Sequence, residues 1–191
     1  MACDSDPARL PELLDRIQES SADALAEMRI LVSELRLRRV AEDGLVPTLR
    51  QHLALRERRE VLRTIFSIDG EERGTVGLKE TLLRVVQESL NNVVKHAGVA
   101  EAEVSLSFGE AEVVLRVRDA GQGFDGSAAG GTGAARGGFG LASMRECVEA
   151  GGGTWQIASR PGRGTEITVH MPLPAEREHD GQEPAHQSPG R

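Results

Sequence analysis

Between Leu14 and Leu35 the chain repeats small or apolar residues at alternating spacings of three and four, through Leu14, Ile17, Ser21, Ala24, Met28, Leu31 and Leu35. That is the seam of a helix built to meet another helix. Ser21 and Ala24 weaken its middle, and the seam either pairs with a partner chain or folds back onto its own domain. The pattern predicts a first helix from Pro11 to about Arg39, a break near Glu42-Asp43-Gly44, and a second helix over Leu45 to Arg59. A strand over Val61 to Ile68 and a turn over Asp69 to Gly74 lead into the longest amphipathic stretch, Val76 to Ala97. There Leu82, Leu83, Val86, Leu90, Val93, Val94 and Ala97 share one side of a regular helix. Beyond it the period falls to two, over Ala102 to Phe108 and Glu112 to Val117, as in half-buried strands. A glycine-led helix from Gly138 to about Ala150 stops at Gly151-Gly152-Gly153, and two more strands follow, Thr154 to Ser159 and Glu166 to Met171. No internal repeat occurs.

The polar edge of the long helix carries candidate chemistry. At about 100° per residue, Glu88, Asn92 and Lys95 fall within roughly 60° of one another. A carboxylate, a neutral amide oxygen and an ammonium side by side suit a Mg²⁺-bound polyphosphate. The carboxylate steers a proton or a water, the amide oxygen suits a hard cation, and the lysine offsets phosphate charge. The same three residues also suit the wet side of an ordinary surface helix.

Downstream segments shift that balance. Asp119-Ala120-Gly121-Gln122-Gly123 places a carboxylate at a strand end, followed by a glycine-spaced turn. Gly121 and Gly123 lack the Cβ that would block a flat purine ring, and Asp119 can accept a hydrogen bond from an exocyclic amine. Gly126, Gly130, Gly131, Gly133 and Gly137 then crowd a stretch that reads as a lid or a plain linker. It ends at Gly138-Phe139-Gly140-Leu141, where free amides at a helix start attract phosphate oxygens. Together these pieces point to one purine nucleotide.

Their order resembles the ATP-binding domain shared by sensor histidine kinases, gyrase, the ninety-kilodalton heat-shock chaperone and mismatch-repair ATPases. Val86-Gln87-Glu88-Ser89-Leu90-Asn91-Asn92-Val93-Val94-Lys95-His96-Ala97 is similar to the N box of the nitrate-sensor and desaturase-sensor type of histidine kinase. Asp119-Ala120-Gly121-Gln122-Gly123 resembles its G1 box, Gly138-Phe139-Gly140-Leu141 its G2 box, and Gly162-Arg163-Gly164-Thr165 its closing Gly-x-Gly-Thr. The resemblance runs from about Leu25 to Pro172 and implies an α/β fold, a two-layer sandwich with a mixed sheet covered on one face by helices, preceded by a dimerisation-type helix. The expected division is a disordered start at 1–9, the helix at 10–40, the ATP-binding domain at 44–173 and a tail at 174–191 whose polar, Pro- and Gly-rich composition predicts disorder.

The resemblance implies Asn92 as Mg²⁺ ligand, Glu88 as the group that orients or activates the attacking group, and Lys95 as a phosphate contact. It implies that Asp119 reads the adenine amino group, Gly121 and Gly123 admit the base, and Thr165 backs it. Gly138 and Gly140 would line the phosphates, with Leu141 among the nucleotide-binding residues. ATP and Mg²⁺ are the expected cofactors, and a response regulator and a histidine-bearing kinase chain the expected partners. The run from Ala24 to Arg36 resembles the second helix of the kinase dimerisation hairpin, which implies a homodimer through residues 14–35.

One part of that pattern is missing. Such kinases carry their phosphate acceptor upstream, in an Arg-Glu-Leu-His-Asp-like stretch, and nothing before Leu25 has that form. His52, His96, His170, His179 and His186 all lie elsewhere and read as solvated or packing histidines. Three readings follow: a histidine kinase acting on a histidine from a partner chain or missing segment, an ATP-binding module that regulates a kinase by heterodimerising with it, or a serine kinase of the anti-sigma type. The kinase-like run from Leu25 to Arg36 argues against the third.

Composition narrows the field. Hydrophobic residues make up 39% and aromatics only 3%, so the single core must be aliphatic. A formal charge of -7 disfavours nonspecific nucleic-acid binding, although Lys95, Arg136 and Arg145 could make one site locally positive. No Gly-x-x-x-x-Gly-Lys-Ser/Thr loop occurs, which excludes a P-loop enzyme. Cys3 and Cys147 have no metal-ligand or disulfide spacing, and the chain shows no secretion signal or membrane-length apolar run. A cytoplasmic setting is expected, with any sensing module on another chain or an upstream segment.

Overall fold

The computed structural model describes residues 38–60, 62–125 and 138–174. Residues 38–43 are helical and continue into the break at Gly44. The seam at 14–35, the glycine-rich segment at 126–137 and the tail from 175 lie outside the described residues. So do the homodimer expected through that seam and the phosphate contact considered for Arg136.

The elements are α1 (Leu45–Arg59), β1 (Arg63–Asp69), α2 (Val76–Asn92), β2 (Glu101–Phe108), β3 (Glu112–Asp119), α3 (Gly138–Ala150), β4 (Thr154–Ser159) and β5 (Thr165–Pro172). A π-helical turn, Val93–Ala97, extends α2. The strands form one mixed sheet in the order β1-β2-β3-β5-β4. Its β1–β2 pair is parallel and the others are antiparallel. The parallel pair needs a crossover connection, and α2 supplies it.

Alternation along the strands explains the two layers. Ala102, Val104, Leu106 and Phe108 of β2 are buried, as are Val113, Leu115 and Val117 of β3 and Ile167, Val169 and Met171 of β5. The intervening Glu101, Glu103, Arg116 and Arg118 are exposed. One face of the sheet is therefore dry and the other wet. Leu82, Leu83, Val86 and Leu90 of α2, Leu49 and Leu53 of α1, and Met144 and Val148 of α3 join the same core. Burying each such side chain contributes about 1.5–3 kcal/mol, and the core is aliphatic as composition requires.

The structure corrects the expected elements at several ends: β1 runs over Arg63–Asp69 rather than Val61 to Ile68, and two further differences bear on the site. Strand β3 continues through Asp119, which pairs with Ala102 on one side and Thr165 on the other, so the backbone ladder outlasts the apolar alternation that suggested an end at Val117. The regular helix stops at Asn92. A π turn holds more residues per turn than an α turn, so the phase shifts and Val94, expected on the apolar side, is 45% exposed.

Helix α1 has no cap of its own at Gly44. Glu72, from the turn before α2, takes that role: its Oε1 accepts the Leu45 N–H at 2.7 Å and its Oε2 the Val46 N–H at 2.8 Å. Lys79 Nζ lies 2.9 Å from the same carboxylate. Burial works against charge on Glu72, but the Lys79 bond and the two amides outweigh it and hold its pKa below the ordinary value. A depressed folded-state pKa stabilises above the unfolded value and loses that contribution as pH falls through the folded one. We therefore predict that Glu72→Gln lowers stability at pH 7 by about 1–2 kcal/mol. Urea melts at descending pH should show the gap between variant and wild type closing below roughly pH 4. A gap that persists in acid would refute the charged cap.

Candidate functional site

Glu88 sits half-buried on α2 where the first turn of α3 crosses it. A Cβ built on Gly140 would overlap Glu88 Oε1, so the carboxylate lies directly against the backbone of the first turn of α3. The other oxygen, Oε2, accepts a hydrogen bond from Asn91 Nδ2 at 3.2 Å. Asn91 Oδ1 in turn accepts from Arg56 Nη2 of α1. The carboxylate is thus gripped between α3 and a side chain of its own helix. Nearby, Arg84 Nη2 donates to Ser143 Oγ at 2.8 Å and ties α2 to α3 a second time.

Asp119 closes the other end of the site. Its Oδ1 accepts the Gly121 N–H at 2.8 Å, which fixes the carboxylate plane and leaves Oδ2 available to a ligand. The turn it starts is fastened to the end of α2. Gln122 N–H donates to the Ala97 carbonyl at 2.9 Å, and the Gln122 side-chain amide donates to the His96 carbonyl. Those carbonyls belong to the π turn and the helix terminus, where the α-helical pattern leaves acceptors unclaimed.

The strand register adds a polar row on the helix-facing side. Asp119 lies across from Thr165, and Thr165 across from Ser159. Ser159 Oγ is 3.0 Å from Thr165 Oγ1, donates to the Gly164 carbonyl at 3.0 Å, and accepts the Phe124 N–H at 2.9 Å. Gly162 N–H reaches the Gln122 carbonyl at 2.6 Å, so the closing loop and the turn after β3 lock together.

The structure thus joins Glu88 with Gly140, and Asp119 with Thr165 and Gly121. Asn92 is half-buried one position beyond Asn91, and Lys95 is exposed on the π turn. Gly138 opens α3, and Leu141 packs half-buried against the core. Two of the glycines also lie close to the protein's own atoms. A Cβ on Gly121 would overlap Ala97, and one on Gly123 would overlap the Arg160 carbonyl. Their smallness serves the protein's own close packing. Arg145, considered as part of a positive site, instead pairs with Glu149 at 2.7 Å.

Asn91, Arg56, Gln122 and Ser159 were not singled out from sequence. Asn91 is three residues after Glu88, within side-chain reach on a helix. The other three become visible only through tertiary contacts or strand register.

A cleft of about 860 Å³ is lined by Glu57 of α1, by Glu60 just after it, by Glu101 and Glu103 of β2, and by Asp119. It shares Asp119 and Ala120 with the site but contains none of Glu88, Asn92, Lys95 or Gly140. Its carboxylate-rich wall would repel phosphates, and the chemistry suited to a polyphosphate lies along α2.

Residues 77–175 match the family described as histidine kinase-, DNA gyrase B-, and HSP90-like ATPase. The chain is 37% identical to the sensor histidine kinase YhcY of Bacillus subtilis over 86% of this chain and 41% of that protein. It is 33% identical to the sensor histidine kinase NarS of Mycobacterium tuberculosis over 85% of this chain and 37% of that protein. It thus spans less than half the length of these relatives. The fold is similar to that of the histidine kinase domain of the Erythrobacter litoralis EL346 blue-light activated kinase, with a TM-score of 0.58, 20% identity, and 88% of this chain and 89% of that one covered.

The fastening of the β3 turn to α2 yields a prediction about stability. Gly121→Ala should destabilise the chain by about 1–3 kcal/mol through overlap with Ala97, and Gln122→Ala by about 1 kcal/mol. Chemical denaturation measures both, and an unchanged midpoint for Gly121→Ala would show that the turn is free to move.

Proposed function

The chain belongs to the histidine kinase-, DNA gyrase B- and HSP90-like ATPases, as the ATP-binding catalytic domain of a sensor histidine kinase, and on that premise we propose that it transfers the γ-phosphoryl group of ATP to a histidine on a partner chain or segment. The observation that carries this reading is the seating of Glu88 against Gly140, which brings the polar edge of α2 to the start of α3.

In the proposed reaction the Asp119 Oδ2 accepts a hydrogen bond from the adenine amino group, with Thr165 behind the ring. Amides at the start of α3, around Gly138 and Gly140, hold phosphate oxygens, and Lys95 offsets their charge. Glu88 orients the incoming imidazole. The bond from the γ-phosphorus to its bridging oxygen breaks, a bond to an imidazole nitrogen forms, and ADP leaves.

The donor set suits Mg²⁺. Asn92 offers a neutral amide oxygen, and among the described residues no cluster of three His, Cys, Asp or Glu could hold a metal by itself. Asn92 would hold the ion together with phosphate and water oxygens, and the ion would supply charge neutralisation at the phosphates. Phosphate received on histidine implies a response regulator as the next acceptor, supported by the sensor-kinase names of the relatives. No helix among the described residues is long and apolar enough to cross a membrane.

Incubation with γ-labelled ATP and a candidate partner tests the proposal, and acid-labile label on that partner is the expected result. Acid-stable label would point to a serine kinase, and binding without transfer to a regulatory module. Asn92→Ala should abolish the Mg²⁺ dependence of nucleotide binding. Asp119→Asn should cut the preference for ATP over GTP roughly tenfold. Unaltered nucleotide affinity in both variants would refute the site.

A further inference from the structure

Arg56 is an unusual residue for a helix surface. Its side chain is only 13% exposed, and it donates in three directions at once. Nε donates to His52 Nε2 at 3.2 Å, Nη1 to Glu60 Oε2 at 3.2 Å, and Nη2 to Asn91 Oδ1. The first two partners lie four residues away on either side, His52 within α1 and Glu60 at its C-cap, so they hold the guanidinium in a fixed plane against its own helix. The third crosses to α2. A planar guanidinium can make these bonds together, whereas an ammonium has no such fork.

Asn91 is held at both ends by groups of opposite character. Arginine only donates, so the atom facing Arg56 must be the amide oxygen. An ionised carboxylate only accepts, so the atom facing Glu88 must be the amide nitrogen, 3.2 Å from Oε2. Flipping the amide would break both bonds, and chemistry alone therefore settles its orientation. On its other oxygen, Oε1, Glu88 lies close to Gly140 of α3.

We propose that Asn91, clamped by Arg56, is a positioning residue that sets the aim of the Glu88 carboxylate. The inference rests on the reading of Glu88 as the group that orients the attacking nucleophile. Displacing such a group by about 1 Å costs up to about a hundredfold in rate without weakening substrate binding. Arg56 belongs to α1, the helix next to residues 38–43, so the aim of the carboxylate depends on how α1 sits against α2.

The test separates this inference from the functional proposal. ATP affinity and ATP turnover are measured for the wild type and for Asn91→Ala, Arg56→Ala, Arg56→Lys and Glu88→Gln, with the double variants in the Glu88→Gln background. Asn91→Ala and Arg56→Ala should lower turnover about tenfold to a hundredfold with ATP affinity within about twofold of wild type. Arg56→Lys should recover only part of the loss, and neither substitution should reduce turnover further once Glu88 is glutamine. Turnover near wild type in Asn91→Ala, or an equal loss in the Glu88→Gln background, overturns the inference and leaves nucleotide binding intact.

Side-chain ¹⁵N spectra of the nucleotide-free chain read the clamp without any turnover. Arg56→Ala and Glu88→Gln should each shift the Asn91 amide resonance, and no shift from either overturns the inference. A wild type that does not bind ATP defeats the functional proposal instead, whatever the spectra show.

Discussion

Two backbone carbonyls at the end of α2, those of His96 and Ala97, hold the two halves of the site in register. Gln122 satisfies both, and Gly121 is small enough to let its turn lie against Ala97. Through that contact the position of Asp119 is set by the same helix that carries Glu88 and Asn92. The far side of the turn is set by Ser159, Gly162 and Gly164 of the closing hairpin. A base held at Asp119 and phosphates held along α2 would therefore be spaced by one rigid body rather than by two loops.

Two carboxylates in this chain, Glu72 and Glu88, depend on contacts between segments far apart in sequence. Glu72 caps a helix that begins 26 to 27 positions earlier in sequence, and Glu88 is fixed through Asn91 by Arg56 of the preceding helix. In both cases α1 is one party to the contact. The helix is thus anchored at its start by an acid and linked at its end to the acid at the centre of the site, in addition to its buried Leu45, Leu49 and Leu53.

Much of this was legible in the sequence because the governing signals are local. The period of two over Ala102 to Phe108 and the period of 3.6 over Val76 to Leu90 report directly which side of each element is dry. The turn residues Asp119, Gly121 and Gly123 were found because few other residues fit such a turn. What escaped depends on partners that sequence order does not reveal. The π turn has no signature in Val93-Val94-Lys95-His96-Ala97, since every one of these residues also suits an α-helix. Ser159 gains meaning only once the register sets it opposite Thr165. Gly121 and Gly123 were recognised as room for a flat ligand, and their close approach to Ala97 and Arg160 could not be read from sequence.

The single parallel pairing in the sheet has a kinetic side. Strands β2 and β3, and likewise β4 and β5, are sequence neighbours joined by tight connections, so each pair closes a short loop at small entropic cost. Strand β1 can join β2 only after the whole of α2 has been laid across the sheet. The β3–β5 ladder closes larger loops still, 46 to 60 residues against 38 between β1 and β2, so both long-range pairings cost more entropy than the two hairpins. Opening the β1 edge would loosen α1, which packs against β1, while the two hairpins kept their own ladders.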